Sequence, residues 1–341
     1  MPYNPPLADG PDNDDPIART APCDLCGGGL FEEIAQLDRR GNPLATVICV
    51  GCGLIAHRSI PSEAELAHYY AKKYRSDYHG EITPSPHRVI RAWRTGRQIL
   101  TRLQPHLHRN DRVFEVGAGI GCNVKVFDLA GHDASGIEPG EGFHAFSRDQ
   151  LCTRIEKINL ADVPRRPAYD VVLLIHVIEH FRSPRTALAH IHSILKAGGR
   201  LYVECPNVAA PHAAPGKLFH MAHIHNFTPQ TLVMMAAACG FDVQCCNSDD
   251  RGRDLMFLFT RAGAGRLHVD LDSCRRTIGA IGRYNTLSYH LRWRYLTRRV
   301  GTVAAHFSDH VRAKQRVARI VDACKRHTGQ SADPESHDRA A

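Results

Sequence analysis

The stretch R-V-F-E-V-G-A-G-I-G-C-N-V, residues 112–124, decides how the chain is read. Strand-like sequence runs into three glycines at alternate positions, Gly117, Gly119 and Gly121, and helix-like sequence follows. Backbone bent this sharply without side chains is found mostly where a ligand lies against it. The P-loop reading fails, because no Lys-Ser or Lys-Thr follows the glycines to meet phosphates and magnesium. A dinucleotide fingerprint wants G-x-G-x-x-G, with the pyrophosphate on the helix N-terminus. Here Gly121 comes one place early and Cys122 stands where the last glycine belongs. Glu115, two residues before Gly117, would face a cation better than a pyrophosphate.

Outward from this loop, residues 112–261 alternate short apolar strands with amphipathic helices, which predicts a parallel α/β sheet. The strands fall at 112–117, 133–139, 169–176, 199–206, 241–247 and 254–261, the last two joined by a polar turn into an antiparallel hairpin. Glu138 stands at the tip of the second strand, where a carboxylate can accept from both hydroxyls of a ribose. The run Y-D-V-V-L-L-I-H, residues 169–176, reads as a buried strand with His176, Glu179 and His180 at its C-terminal end. That edge is where open α/β sheets bind ligands.

These pieces together resemble the Rossmann-like S-adenosylmethionine-dependent methyltransferases. The residues that carry the resemblance are E-V-G-A-G-I-G (115–121), Glu138, H-V-I-E-H (176–180) and L-K-A-G-G (195–199), within residues 85–261. The resemblance implies a seven-stranded sheet with one antiparallel strand, and a third strand within residues 152–164. It places Gly117, Gly119 and Gly121 under the methionyl part of the cofactor, Glu115 by its amino group and Glu138 on its ribose. Asn159 and Leu160 would lie by the adenine, and His176 would complete the cofactor edge.

A second signal lies upstream. Cys23, Cys26, Cys49 and Cys52 form two C-x-x-C pairs with tetrahedral reach, a zinc-ribbon arrangement. A site closed by four thiolates has no open position, so its zinc is expected to be structural. The other eight of the twelve cysteines show no ligand spacing and read as small core residues. The N-terminus lacks a basic start and an apolar run, so no signal peptide is read, and a cytoplasmic protein is expected.

Zinc, then a tyrosine-bearing segment (residues 65–78), then this core is similar in order to the deoxysugar C-methyltransferases and their relatives. That resemblance implies a sugar-like small-molecule acceptor, methylated on carbon or oxygen, with Tyr74 and Tyr78 lining its pocket. Tyr69 and Tyr70 are read equally well as packing residues. The chain departs from the group by ending in about 80 residues of basic helix, where the group has a large α/β domain. It also reads M-A-H-I-H-N-F-T-P at 221–229, keeping His223 but not the Tyr-x-Glu-His run of the sugar enzymes. A glycan or lipid-linked acceptor therefore stands beside the sugar. If the acceptor must lose a proton, His223 is the expected base, with His180 orienting the acceptor or taking that role.

The organisation expected is a disordered lead-in at 1–20, a zinc-binding domain at 21–60, a helical substrate-contact segment at 61–110 and the methyltransferase domain at 111–262. A basic helical extension at 265–326 and a disordered tail at 327–341 follow. The net charge of +8 resides in the extension, where Arg266–Arg326 carries fourteen Lys/Arg against four Asp. Val303, Phe307, Val311, Ala318 and Val321 recur near helical spacing there, with Arg312, Lys314, Arg316 and Arg319 between them. Packing on the catalytic domain is the plain reading of these helices. Contact with an anionic membrane or a phosphate-bearing substrate is the sharper one. A nucleic-acid-binding protein is the competing class, suggested by the ribbon and the basic tail. Against it, the charges do not cluster with stacking aromatics outside Y-H-L-R-W-R-Y, residues 289–295.

Overall fold

The computed structural model describes residues 21–68, 83–210, 213–214, 216–246, 252–291, 313–327 and 329. At the N-terminal end, strands β1 (Phe31–Leu37), β2 (Pro43–Cys49) and β3 (Ile55–His57) form an antiparallel meander between the two cysteine pairs and just beyond. A short helix, α1 (Glu63–His68), follows.

Helix α2 (Pro86–Leu103) opens on Pro86, which suits a first helical turn, and buries Val89, Ile90, Ile99 and Leu103. Gly96 lets it press on the next helix, since a Cβ there would meet the Asn123 Oδ1 at 2.8 Å. The chain then enters β4 (Arg112–Val116), α3 (Cys122–Leu129), β5 (Asp133–Ile137), α4 (Glu141–Asp149) and β6 (Ile155–Glu156). Strand β7 (Tyr169–Ile175), helix α5 (Pro184–Ile194) and strand β8 (Leu195–Pro206) follow. Two-residue β9 (His225–Asn226), α6 (Pro229–Ala238), β10 (Phe241–Cys246) and β11 (Asp254–Arg261) complete this part.

The larger sheet has seven strands in the order β10-β11-β8-β7-β4-β5-β6. Strands β6, β5, β4, β7 and β8 run parallel, and β11 is antiparallel to both its neighbours, β8 and β10. Val171, Val172, Leu173 and Leu174 are all buried, as a central strand covered on both faces requires. This is the expected Rossmann-like sheet. Its third strand, β6, lies within the predicted 152–164 interval but is only two residues long. The L-K-A-G-G run is not a turn ahead of a strand. Strand β8 starts at Leu195, and the pairing slips between Tyr169↔Leu195 and Val171↔Arg200 as an irregularity that absorbs the glycines.

A second sheet joins the two ends of the protein, in the order β1-β2-β3-β9. Its last strand comes from the segment between β8 and α6, with Ile55↔Asn226 and Ala56↔His225 as the pairs. Beyond the sheets, α7 (Ser273–Ile281) and α8 (Thr286–His290) lead to a further helical stretch at 313–327. Val317, Ile320, Val321 and Cys324 of that stretch pack with Val89, Cys122, Phe143 and Leu151. This is the packing reading of the tail. Ala318, expected on the apolar face, is exposed instead, because the buried stripe follows 317, 320, 321 and 324. Val303, Phe307, Val311 and Arg312, like the lead-in and all of 327–341 except 327 and 329, lie outside the described residues.

Candidate active site

The cofactor edge is built from β4 and β5. Glu115, at the end of β4, is 2 % exposed, and its Oε1 accepts a 2.6 Å hydrogen bond from the Asn123 amide. Its Oε2 is buried and receives no hydrogen bond among the described residues. Burial pushes the Glu115 pKa up to about 8, against the Asn123 bond and aided by the charge of Glu138. A cation placed at Oε2 would restore the ionised form.

Glu138 is 3 % exposed, so it is not a solvated acid at a strand tip. Its Oε2 accepts from the Gly119 N–H and its Oε1 from the Gly140 N–H, both at 2.8 Å. The two amides fix the carboxylate at the end of β5.

The glycines of the loop serve the protein's own packing too. At Gly117 (φ 70°) a Cβ would sit 2.7 Å from Cγ2 of Val177. At Gly121 (φ 82°) it would meet Ser147 at 2.8 Å and Ile155 at 2.9 Å. The expectation that bare backbone here exists for a ligand is therefore incomplete, since close approach of strand ends demands it as well. Asn159 caps the 3-10 turn Leu160–Asp162 that follows β6, and Leu160 is buried beside Val116 and Ile137.

Across the same sheet edge stands a cluster of histidines. His176 leaves β7 with φ 52°, a left-handed conformation rare for a residue with a side chain. The 3-10 turn Ile178–His180 then aims Glu179 inward, where it is 1 % exposed. Neither Glu179 oxygen receives a hydrogen bond among the described residues. Three ring nitrogens surround Oε1 instead: His176 Nδ1 at 3.7 Å, His223 Nε2 at 3.8 Å and His180 Nε2 at 3.9 Å. The Nδ1–H of His180 donates to the Ala222 carbonyl, which fixes the ring. His223 stacks on His220 with centroids 3.7 Å apart and meets His180 edge-on at 5.1 Å.

Burial drives the His223 pKa well below 6.5, with His180 and His220 adding to the shift, so the ring is neutral at pH 7. Burial likewise lowers His220, to about 3. His176 goes the other way. Its ring is 44 % exposed at the mouth of the cleft, and although desolvation opposes the proton, Glu179, Asp254 and Glu204 raise its pKa. On its far side, Nε2 lies 3.8 Å from Glu204.

The structure thus brings His180 and His223 together. Glu179, the hub between them, was placed on the ligand edge but given no role, and Glu204, Asp254 and His220 were not singled out. The H-x-x-E-H spacing at 176–180 was the available signal, since a turn after a strand brings such residues onto one rim. Tyr69, Tyr70, Tyr74 and Tyr78 lie outside the described residues.

The four cysteines converge, with Cys23–Cys52 and Cys26–Cys49 sulfurs at 3.5 Å and all four within 4.8 Å of one another. Each C-x-x-C is followed by a left-handed glycine, Gly27 (φ 74°) and Gly53 (φ 77°), which turns the chain so that both sulfurs point inward. The set fits a tetrahedral divalent ion. The first knuckle is fastened to the catalytic part by Asp24, whose carboxylate accepts from the Ser183 hydroxyl at 2.6 Å and the Arg185 N–H at 2.9 Å. That places an acid on the N-terminus of α5, where the helix dipole favours it.

The basic tail forms a groove of about 840 Å³ with α2, lined by Trp93, Arg94, Arg97, Arg102, Arg316 and Arg319 among others. Arg102 links it to the sheet through Tyr202 (2.7 Å) and Glu204 (3.6 Å). No helix among the described residues is long and apolar enough to cross a membrane.

Residues 86–245 match the family model of a methyltransferase domain. The strand order and the acid–glycine loop of this segment are those of a Rossmann-like methyltransferase fold. Among curated proteins, the chain is 26 % identical over 166 residues to a tRNA U34 carboxymethyltransferase of Shewanella amazonensis, covering 43 % of this chain and 50 % of that one. It is 28 % identical over 106 residues to a ubiquinone biosynthesis O-methyltransferase of Bradyrhizobium, covering 28 % and 40 %. The chain spans half or less of the length of these curated relatives. Among solved structures, it is similar to the Burkholderia thailandensis 1,6-didemethyltoxoflavin-N1-methyltransferase, with 20 % identity, a TM-score of 0.47 and coverage of 62 % of this chain and 96 % of that one.

Proposed function

We propose that this protein transfers a methyl group from S-adenosylmethionine to a hydroxyl-bearing small molecule of the sugar or glycan type, on oxygen or on an activated carbon. The observation that carries the reading is the buried Glu179 ringed by His176, His180 and His223 on the rim that faces the cofactor loop. When bound, S-adenosylmethionine supplies an already activated methyl on a sulfonium. Glu115, with its unpartnered Oε2, would take the cofactor's amino group, Glu138 its ribose hydroxyls, and Gly117, Gly119 and Gly121 its methionyl part. Asn159 and Leu160 would lie by the adenine, and His176 would border the acceptor.

What remains for the chain is to align the acceptor, exclude water and take up the acceptor's proton. His223 and His180 are the residues placed to handle that proton, since both face Glu179 and both are held by their surroundings. Tyr74 and Tyr78 would complete the acceptor pocket. The four cysteines would hold one structural zinc, fixing the ribbon from which Asp24 reaches α5.

Methyl transfer from tritium-labelled S-adenosylmethionine to nucleotide-sugars, lipid-linked sugars and RNA tests the reading. Label in a sugar fraction supports it. Label in RNA alone would favour the second reading, a nucleic-acid-modifying enzyme, for which the arginine groove beside Trp93 and the tRNA-modifying relatives speak. In that case binding of RNA should fall steeply with salt, and Arg97→Glu with Arg319→Glu should weaken it.

A further inference from the structure

The geometry points to a second metal site, distinct from the four cysteines: a divalent transition ion held by Glu179, His180 and His223. Its use in catalysis rests on the methyl-transfer reading above, but the site itself does not; with the ion bound, His180 and His223 would act on the acceptor's proton as the ion's ligands rather than as bases. The ligand atoms of these three residues lie within 4.8 Å of one another. An ion about 2.0–2.2 Å from each donor would hold tetrahedral neighbours about 3.3 Å apart. The observed separations from Glu179 Oε1, 3.8 Å to His223 and 3.9 Å to His180, need only a few tenths of an ångström of ring movement at each side.

Two features suit a cation at this point. A carboxylate 1 % exposed has no hydrogen bond to either oxygen among the described residues, which is costly for a buried charge. The second feature is the tautomer of His180. Its Nδ1 must carry the proton, because the partner is a backbone carbonyl that only accepts. Its Nε2 is the nitrogen that faces Glu179 Oε1, at 3.9 Å. A cation at Oε1 would take that nitrogen as a second ligand. An imidazole that gives one N–H to a backbone carbonyl and its other nitrogen to a metal is the usual outer-shell arrangement of metal-bound histidine.

Three protein ligands with the fourth side open is the pattern of a catalytic rather than a structural centre. The open side is bordered by His176, whose Nδ1 is 3.7 Å from the same Glu179 oxygen. Two imidazoles and one carboxylate suit zinc, cobalt, iron(II) or manganese better than calcium or magnesium. An acceptor hydroxyl bound at the open position would lose its proton to solvent more readily. The methyl–sulfur bond then breaks as the methyl–oxygen bond forms, and the ion is unchanged.

Cobalt(II) is the probe. Full-length protein is saturated with it, freed of excess, and analysed for zinc and cobalt per chain, with the absorption spectrum recorded. Wild type should hold about two ions in total, and the added cobalt should show ligand-field bands without thiolate charge-transfer bands. Glu179→Gln and His180→Gln should each lower the total by about one ion, or weaken cobalt binding at least tenfold, while S-adenosylhomocysteine still binds by calorimetry. If the buried Glu179 variant does not fold, the His180 variant decides. No cobalt beyond exchange into the sulfur site, or equal uptake in wild type and folded variants, overturns the proposal. Failure of the wild type to bind S-adenosylhomocysteine would instead overturn the methyltransferase reading and leave the metal count to stand by itself.

Discussion

Replacing Glu138 with alanine should damage two properties that can be measured apart. The carboxylate accepts two 2.8 Å hydrogen bonds from the Gly119 and Gly140 amides, and it is 3 % exposed. A hydrogen bond to a charged group contributes about 1.5–3 kcal/mol net. Losing both strands two buried N–H groups, while relief of the buried charge returns part of the cost. A net loss of about 2–4 kcal/mol follows, or roughly 4–16 °C in melting temperature for a domain of this size. The ribose contact is a separate loss of about 1.5–3 kcal/mol, which is about 10- to 150-fold in S-adenosylhomocysteine affinity. Thermal unfolding and calorimetry of the same preparation read the two. A folded variant that binds with unchanged affinity removes Glu138 from the ribose site. One that melts with wild type shows that the amide bonds contribute nothing to holding the loop. Glu138→Gln, which keeps one acceptor, should fall between wild type and alanine in both assays.

Protein purified without chelator should carry zinc on Cys23, Cys26, Cys49 and Cys52, released as pH falls because thiolates must be protonated; Cys49→Ser losing no zinc relative to wild type by metal analysis would refute the ribbon. His223→Ala should lower the methyl-transfer rate by roughly 10²–10⁴ while cofactor affinity stays put, and near-normal turnover would take that residue out of proton handling. His220 has its pKa lowered to about 3 by burial, with the charge of Arg39 adding to the shift, so the unfolded chain binds its proton first. Its share of stability is intact above pH 6.5 and lost as pH falls toward 3, by about 1.4 kcal/mol per unit. In urea titrations, His220→Leu should flatten the slope of stability between pH 6 and 4, and an identical slope would contradict the assignment.

How much of this was legible in the chain depends on how local each signal is. Strand β7 announces itself because Val171–Leu174 is apolar on both faces, and the two C-x-x-C pairs read directly as one four-sulfur set. The sheet order follows from the acid–glycine loop once its resemblance is seen. By contrast, β6 keeps only Ile155–Glu156 in the sheet, where it sits on an edge and has one neighbour to satisfy. Nothing within Ile55–His57 or His225–Asn226 says that these short runs pair, since the partner lies far along the chain. Glu179 was hidden for the same reason. Its meaning comes from His223, which a loop delivers from beyond β8. Gly117 was read for a ligand, yet Val177, another distant residue, also forbids a side chain there.

The pairing of β3 with β9 makes the ribbon part of the catalytic apparatus. His225, the β9 residue paired with Ala56, stands two positions after His223, and the His57 N–H donates to the Ile224 carbonyl at 2.9 Å between them. Arg39 and Phe219 are joined the same way at the loop's other end. The four-cysteine unit therefore acts as a splint across the histidine loop, and a metal held there would stiffen the loop from outside the cleft. A core beginning at residue 83 would keep every strand of the cofactor edge, because β4, β5 and β6 pair only within the larger sheet. The same core would lose the strand that anchors His223, so it should bind S-adenosylhomocysteine and yet turn over poorly. Cofactor binding and turnover should therefore part at that single cut.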